Sequence, residues 1–178
     1  MAPKRMDNAR AIVITGPVGA GKTTTAMALA EMLEHEDISC AMVDMDQLRW
    51  FHPTPQGDPF GEAIGHKHVR YMTETWRELE IPTVILADVI ETAAGKQALA
   101  DALPGYDLVV VRLNVSMEQL HARLRNRETE RQIPWHLNRA QELQDVMIRN
   151  GVGDLVVDVE DQSPEQLAAE IAGRLALL

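Results

Sequence analysis

The chain has 178 residues, 46% of them hydrophobic, which is enough for one α/β domain with a sizeable core. Its 27 acidic and 17 basic side chains give a formal charge of −10, which argues against a broad basic surface for nucleic acid or anionic membrane. The opening MAPKRMDNAR lacks the apolar core of a signal peptide, no apolar run is long enough to span a bilayer, and the single cysteine, Cys40, cannot form an internal disulfide. The expectation is therefore a cytoplasmic protein.

In chain order, residues 1–10 read as a flexible arm and 11–15, AIVIT, as a β-branched apolar strand. Gly16-Pro17-Val18-Gly19-Ala20-Gly21-Lys22-Thr23 then fits G-x-x-x-x-G-K-[ST], the phosphate-binding loop. The glycines let consecutive backbone N–H groups point into one concavity, and the helix that follows aims its unpaired N–H groups and dipole at the same place. Lys22 is expected at the β- and γ-phosphates, the Thr23 hydroxyl on Mg²⁺, and Thr24 near the α-phosphate. The motif needs a strand before it and a helix after it, and 24–33, with Met27, Ala30 and Leu33 at helical spacing, supplies the helix. The loop therefore reads as a nucleoside triphosphate site; a glycine-rich turn that binds nothing is the weaker alternative.

A second strand, 41–44, opens on Cys40, whose position suits an apolar filler better than a reactive thiol. It ends in Asp44-Met45-Asp46. If the backbone stays extended, the two carboxylates point the same way about 7 Å apart, and can divide the labour. Asp44 is expected on the metal side, and Asp46 as the base that orients or deprotonates an incoming hydroxyl. A turn or helix cap is the plainer reading of such a pair. The stretch WFHPTPQGDPFGEAIG, residues 50–65, breaks the rhythm with prolines, glycines and Trp50, Phe51 and Phe60. Following the second strand, it falls at the carboxyl edge of the sheet and reads as a substrate-facing wall, or else as a loop folded back over the core.

His66 and His68 lie in the next expected helix two residues apart, so they face away from each other and do not share a metal. Arg49 and Arg70 could meet an anionic acceptor or form surface pairs, while Met27, Met32, Met42 and Met72 read as core packing. The strand 83–88 ends in Asp88, which could order a magnesium-bound water or cap 89–92. Val89 follows it, so the Asp-Glu pair of a water-activating motor is missing, and Glu91 is too far along to substitute without a bend. Strands follow at 108–113 and 155–158. Ser116-Met117-Glu118-Gln119 and Ser163-Pro164-Glu165-Gln166 have the form of capping boxes, and Asn150-Gly151 ends a helix that starts near Trp135. Arg123, Arg127 and Arg131 recur every four residues, which puts them on one face of a continued helix. With no repeat or linker in view, 1–178 reads as a single domain of alternating strands and helices, a parallel sheet covered on both faces.

The phosphate loop on the first strand and the D-x-D after the second resemble the small P-loop kinases of metabolites and antibiotics: gluconate, shikimate and adenylylsulphate kinases and chloramphenicol phosphotransferase. VDMDQLR is similar to the aspartate segment of the gluconate and adenylylsulphate kinases, HARLRNRETER to their lid, and DLVVDVEDQSPEQLAAEIAGRL to their last strand and helix. The resemblance implies a three-layer fold with a five-stranded parallel sheet in the order 2-3-1-4-5. It implies ATP and Mg²⁺ as cofactors, and transfer of the γ-phosphoryl group to the hydroxyl of a small molecule. It also implies an arginine-rich lid over 123–134, with Arg127 on the transferring phosphoryl group and Arg123 beside the nucleotide; a solvated face paired with Glu128 and Glu130 is the alternative. Two other functions fit fewer residues. A nucleotide-dependent switch or slow NTPase needs the phosphate loop but not the D-x-D, and a kinase of a sugar nucleotide or nucleic-acid end sits poorly with the acidic balance.

Overall fold

The expected apolar runs all become strands. The computed structural model describes residues 9–127 and 132–178, with Arg127 described through its backbone. The chain runs β1 (Arg10–Thr15), α1 (Lys22–His35), β2 (Cys40–Asp44), α2 (Met45–Leu48), α3 (Glu62–Glu78), β3 (Thr83–Ala87), α4 (Ala93–Ala102), β4 (Asp107–Val115), α5 (Met117–Arg127), α6 (Ile133–Arg149), β5 (Leu155–Val159) and α7 (Pro164–Leu175). All strand pairs are parallel, in the order β2-β3-β1-β4-β5 that the resemblance implies.

Helices cover both faces, which is why the strands read as continuous apolar runs rather than alternating ones. Along β1, Ile12 and Ile14 face one way and join Leu29 and Leu33 of α1, Leu113 of β4 and Ile171 of α7. Ala11 and Val13 face the other way and join Val69 and Trp76 of α3, Leu99 of α4 and Leu143 and Met147 of α6. The sheet is thus the middle of three layers, and β1 lies at its centre.

Several boundaries differ from expectation. Ala9 is buried and Arg10 opens β1, its guanidinium donating to the Leu175 carbonyl at 2.7 Å, so the expected arm gives up its last two residues to the fold. α3 begins at Glu62, so 62–65 belong to a helix and not to the irregular segment. Met27 is 49% exposed instead of packed in the core. Helix α1 is alanine-rich and offers more than one apolar stripe; it seats Ala26, Ala28, Leu29 and Leu33 inward between the sheet and α7, which turns Met27 out. Met32 and Met42 pack on one core and Met72 on the other, as expected. Cys40 is half-buried, and burial, with Glu34 nearby, pushes its thiol up from its ordinary pKa, as suits a filler.

The cap at Ser163 is a complete box: its hydroxyl accepts from Gln166 N at 3.3 Å and the Gln166 side chain accepts from Ser163 N at 2.8 Å. The one at Ser116 closes halfway. Its hydroxyl accepts from Gln119 N at 3.2 Å, but the Gln119 amide donates to the Glu160 carbonyl at 2.9 Å and ties α5 to the turn after β5. No described helix is long and apolar enough to cross a membrane.

Candidate active site at the carboxyl edge of the sheet

Parallel strands bring the ends of β1, β2, β3 and β4 to one edge, and the phosphate loop, the D-x-D, Asp88 and Arg123 each come after one of those ends. After β1 the chain makes the glycine loop, where Pro17 O accepts from Ala20 N at 3.1 Å and from Lys22 Nζ at 3.2 Å. Gly19 has φ 84°, and a Cβ there would lie 3.1 Å from Leu124 Cγ, so both conformation and space demand glycine. Gly21, at φ 95°, is the residue from which α1 starts, and its own position offers no side chain to cap that helix end. The first-turn N–H groups therefore face the loop's hollow, the arrangement that receives an anion.

Beside the hollow lies a cleft of about 280 Å³ lined by Gly19, Ala20, Gly21, Thr24, Arg123 and Leu124, with Gln162, Pro164 and Leu167 closing the far wall. Arg123 Nη1 donates to the Ala20 carbonyl at 3.2 Å, which fixes this arginine against the loop from α5. The expected lid lies partly outside the described residues: the Arg127 side chain and residues 128–131 do. Arg123 and the start of α6 belong to the part that is described.

Asp44 and Asp46 are not two residues along one extended strand. The strand ends at Asp44, which caps the short helix α2: Oδ1 accepts from Asp46 N at 2.9 Å, and Oδ2 accepts from the Thr23 hydroxyl at 2.8 Å. A cap next to an aspartate is a local competitor of the extended backbone, and it wins here. The result still divides the pair. Asp44 is locked to the phosphate loop, and the Asp46 side chain, 74% exposed, swings clear of it to within 4.0 Å of Arg49.

Asp46 lines a second cleft, of about 170 Å³, with Val18 of the phosphate loop, Arg49, Phe60, Glu62, Val89, Glu91, Trp135, Arg139 and Leu143. Phe60 and Trp135 show 56% and 58% of their surface, so the irregular segment and the start of α6 supply aromatic walls. Trp50, also solvent-facing, does not line this cleft.

The floor of the second cleft is a buried ion pair. Arg49 Nη2 lies 2.6 Å from Asp88 Oδ1, which also accepts from Val89 N at 2.7 Å. Burial pushes the Asp88 carboxyl up to about 6, against the downward pull of Arg49 and the Val89 N–H. Among the described residues Asp88 Oδ2 and Arg49 Nε have no hydrogen-bond partner, so neither group is fully compensated there. Next to them Glu91 bonds Arg139, whose guanidinium lies 5.4 Å over the Phe60 ring and 3.6 Å from Glu142. Arg70 donates to the Asp101 carbonyl, away from both clefts. His66 and His68 lie in α3; His68 Nδ1 meets the Leu48 carbonyl at 2.8 Å, and burial with Arg49 close by holds the His66 pKa below its ordinary value.

The family model described as adenylylsulphate kinase matches residues 8–123, which take in the phosphate loop, the D-x-D, Asp88 and Arg123. The chain belongs to the adenylylsulphate kinase family. It is therefore a member of a P-loop kinase family whose fold is the one described above. No curated protein matches the chain. Among solved structures, a tunicamycin resistance protein of Deinococcus radiodurans superposes with a TM-score of 0.67 at 20% identity, covering 96% of this chain and 97% of that one. Shikimate kinase of Bacteroides thetaiotaomicron gives 0.66 at 17% identity, covering 94% and 98%. The adenylylsulphate kinase of Mycobacterium tuberculosis, solved with AMPPNP and APS, gives 0.57 at 22% identity, covering 98% and 99%. Likeness at such identities speaks to the fold, and this adenylylsulphate kinase relative shares it from end to end.

Sequence reasoning overlooked Arg139 and Glu62 and set Arg49 and Glu91 aside. Arg49 had a local signal in its spacing from Asp46. Arg139 is 48 positions from Glu91, and nothing in local spacing couples them.

Proposed function

We propose that the chain transfers the γ-phosphoryl group of ATP to a hydroxyl of a small molecule, as one domain spanning residues 1–178. The observation that carries this reading is the junction of two clefts at a single loop. Gly19–Gly21 border one, Val18 borders the other, and Asp46 opens onto the second alone. A molecule that only bound or slowly hydrolysed nucleotide would need the first cleft and no second.

The donor set suits a magnesium nucleotide. Thr23 Oγ1 and Asp44 Oδ2 are hard oxygens held together at the loop, and Mg²⁺ takes one or two such groups and fills its remaining positions with phosphates and water. Bound there, it would neutralise charge on the outer phosphates. Lys22 and the N–H groups of the loop and of α1 would hold the β- and γ-phosphates, and Thr24 and Arg123 the nucleotide side of the first cleft. Asp46 would accept or orient the acceptor's hydroxyl proton, which its exposure permits. Arg127 is assigned to the developing charge on the transferred group, in a lid that excludes water on closure.

The test is a screen of hydroxylated metabolites and antibiotics for acceptor-dependent ADP release, with mass spectrometry for a gain of one phosphoryl group. The reading expects release that requires an acceptor. Release at the same rate with and without every acceptor is the result of a slow NTPase.

A further inference from the structure

We infer that the acceptor carries a protonated amine near the hydroxyl that is phosphorylated. The inference rests on the phosphotransfer reading and concerns the second cleft.

Each described feature of that cleft that could bind an anion is already engaged by a carboxylate of the chain. The Arg49 side chain is 9% exposed and its guanidinium lies on Asp88. Its stem is clamped as well, since a Cβ added at Gly61 or Gly65 would come within 3.1 Å of it. Arg139 is held by Glu91 and laid over Phe60. The third feature is the positive end of α3, where Asp58 accepts from the N–H groups of Glu62, Ala63 and Ile64 at 2.7, 3.1 and 3.4 Å. A sulfate, phosphate or carboxylate entering here has to displace one of these internal anions before it gains a partner.

What stays open is of the opposite sign. Asp46 and Glu62 are exposed carboxylates on the cleft wall, and no lysine is among the described lining residues. Trp135 adds an exposed indole, the ring type that best attracts a cation to its face. With Asp46 given to the reacting hydroxyl, Glu62 and Trp135 are left to take an ammonium group. The cleft, of about 170 Å³, has room beside Asp46 for the ammonium-bearing portion of an acceptor. This chain thus departs in acceptor charge from the anion that names its family.

The test compares size-matched acceptors of three charges: glucosamine and other amino sugars and amino alcohols, their neutral polyol counterparts, and the corresponding hydroxy acids together with adenylylsulphate. Wild type is expected to favour the amines at least tenfold in kcat/KM. Glu62→Gln is expected to raise KM for the amines about tenfold and leave the neutral polyols nearly unchanged, a split that a merely structural role does not produce. Glu62→Lys is expected to move the preference toward the hydroxy acids, with thermal melts close to wild type because the backbone cap from Asp58 is kept. A wild-type preference for neutral or anionic acceptors, or a Glu62→Lys variant with unaltered preference, overturns the inference and leaves phosphotransfer standing. Phosphorylation of no acceptor in any set, with ATP bound, overturns phosphotransfer and the inference with it.

Discussion

Asp88 shows how one residue can carry a pH dependence. Its carboxyl is pushed from an ordinary 3.8 to about 6, chiefly by burial. The folded state then holds the proton more tightly than the unfolded chain. The associated stability is complete below about pH 4 and is lost as the pH rises through 6. Over that window the change amounts to up to roughly 3 kcal/mol. Denaturation of wild type beside Asp88→Asn, which cannot titrate, should therefore show wild type losing ground to the variant between pH 4 and 7; a constant difference contradicts the assignment. Gly19 makes a second case. Alanine there adopts a left-handed conformation at a cost of about 1–2 kcal/mol and presses on Leu124. Gly19→Ala should weaken ATP binding at least tenfold by calorimetry, and unchanged affinity would mean that the loop does not need this geometry.

At the scale of elements, the link between the edge of the sheet and the second cleft is Arg49, which joins α2 to the end of β3 and packs under Gly61 at the turn into α3. Removing it alone leaves Asp88 buried without its cation. Arg49→Met is therefore expected to lose about 3–5 kcal/mol at neutral pH, with part recovered on acidification as Asp88 protonates. The pair Arg49→Met with Asp88→Leu is expected to return to wild-type stability or better, because burying both charges is itself costly. Urea melts of the three proteins decide this, and a double variant no more stable than the single one contradicts it. Helix α7 offers the converse: among the described residues nothing lies within 4 Å of a Cβ added at Gly173, so Gly173→Ala should stabilise by ~0.5–1 kcal/mol. A loss of stability there would contradict the open space.

At the scale of the whole molecule, what could be read from the sequence follows the range of the forces involved. Strands were legible because a sheet buried on both faces needs unbroken apolar runs and because the phosphate loop fixes what precedes and follows it, while their order came from the resemblance to the small P-loop kinases. The loop's turn was legible for the same reason, since Ala20 N and Lys22 Nζ both close on the Pro17 carbonyl within a few residues, whereas its bonds to Asp44 and Arg123 join distant parts of the chain. Local competition hid the turn at Asp44, where a cap to Asp46 N bends the chain that an extended reading keeps straight. The face of α1 was hidden by an excess of alanine, which leaves several stripes equally apolar. The second cleft was hidden most, because its pairs, Arg49 with Asp88 and Arg139 with Glu91, join residues 39 and 48 positions apart. No local pattern encodes such a pair; the fold makes it.

In the proposed transfer the two clefts serve one reaction, with Asp46 acting on the acceptor and not on the nucleotide. Asp46→Asn tests it most directly, by ATP binding in one assay and formation of phosphorylated acceptor, followed by mass spectrometry, in another. ATP affinity is expected within about twofold of wild type and product formation slowed about 100-fold or more, as befits loss of a general base. An Asp46→Asn protein that phosphorylates its acceptor as fast as wild type would contradict it.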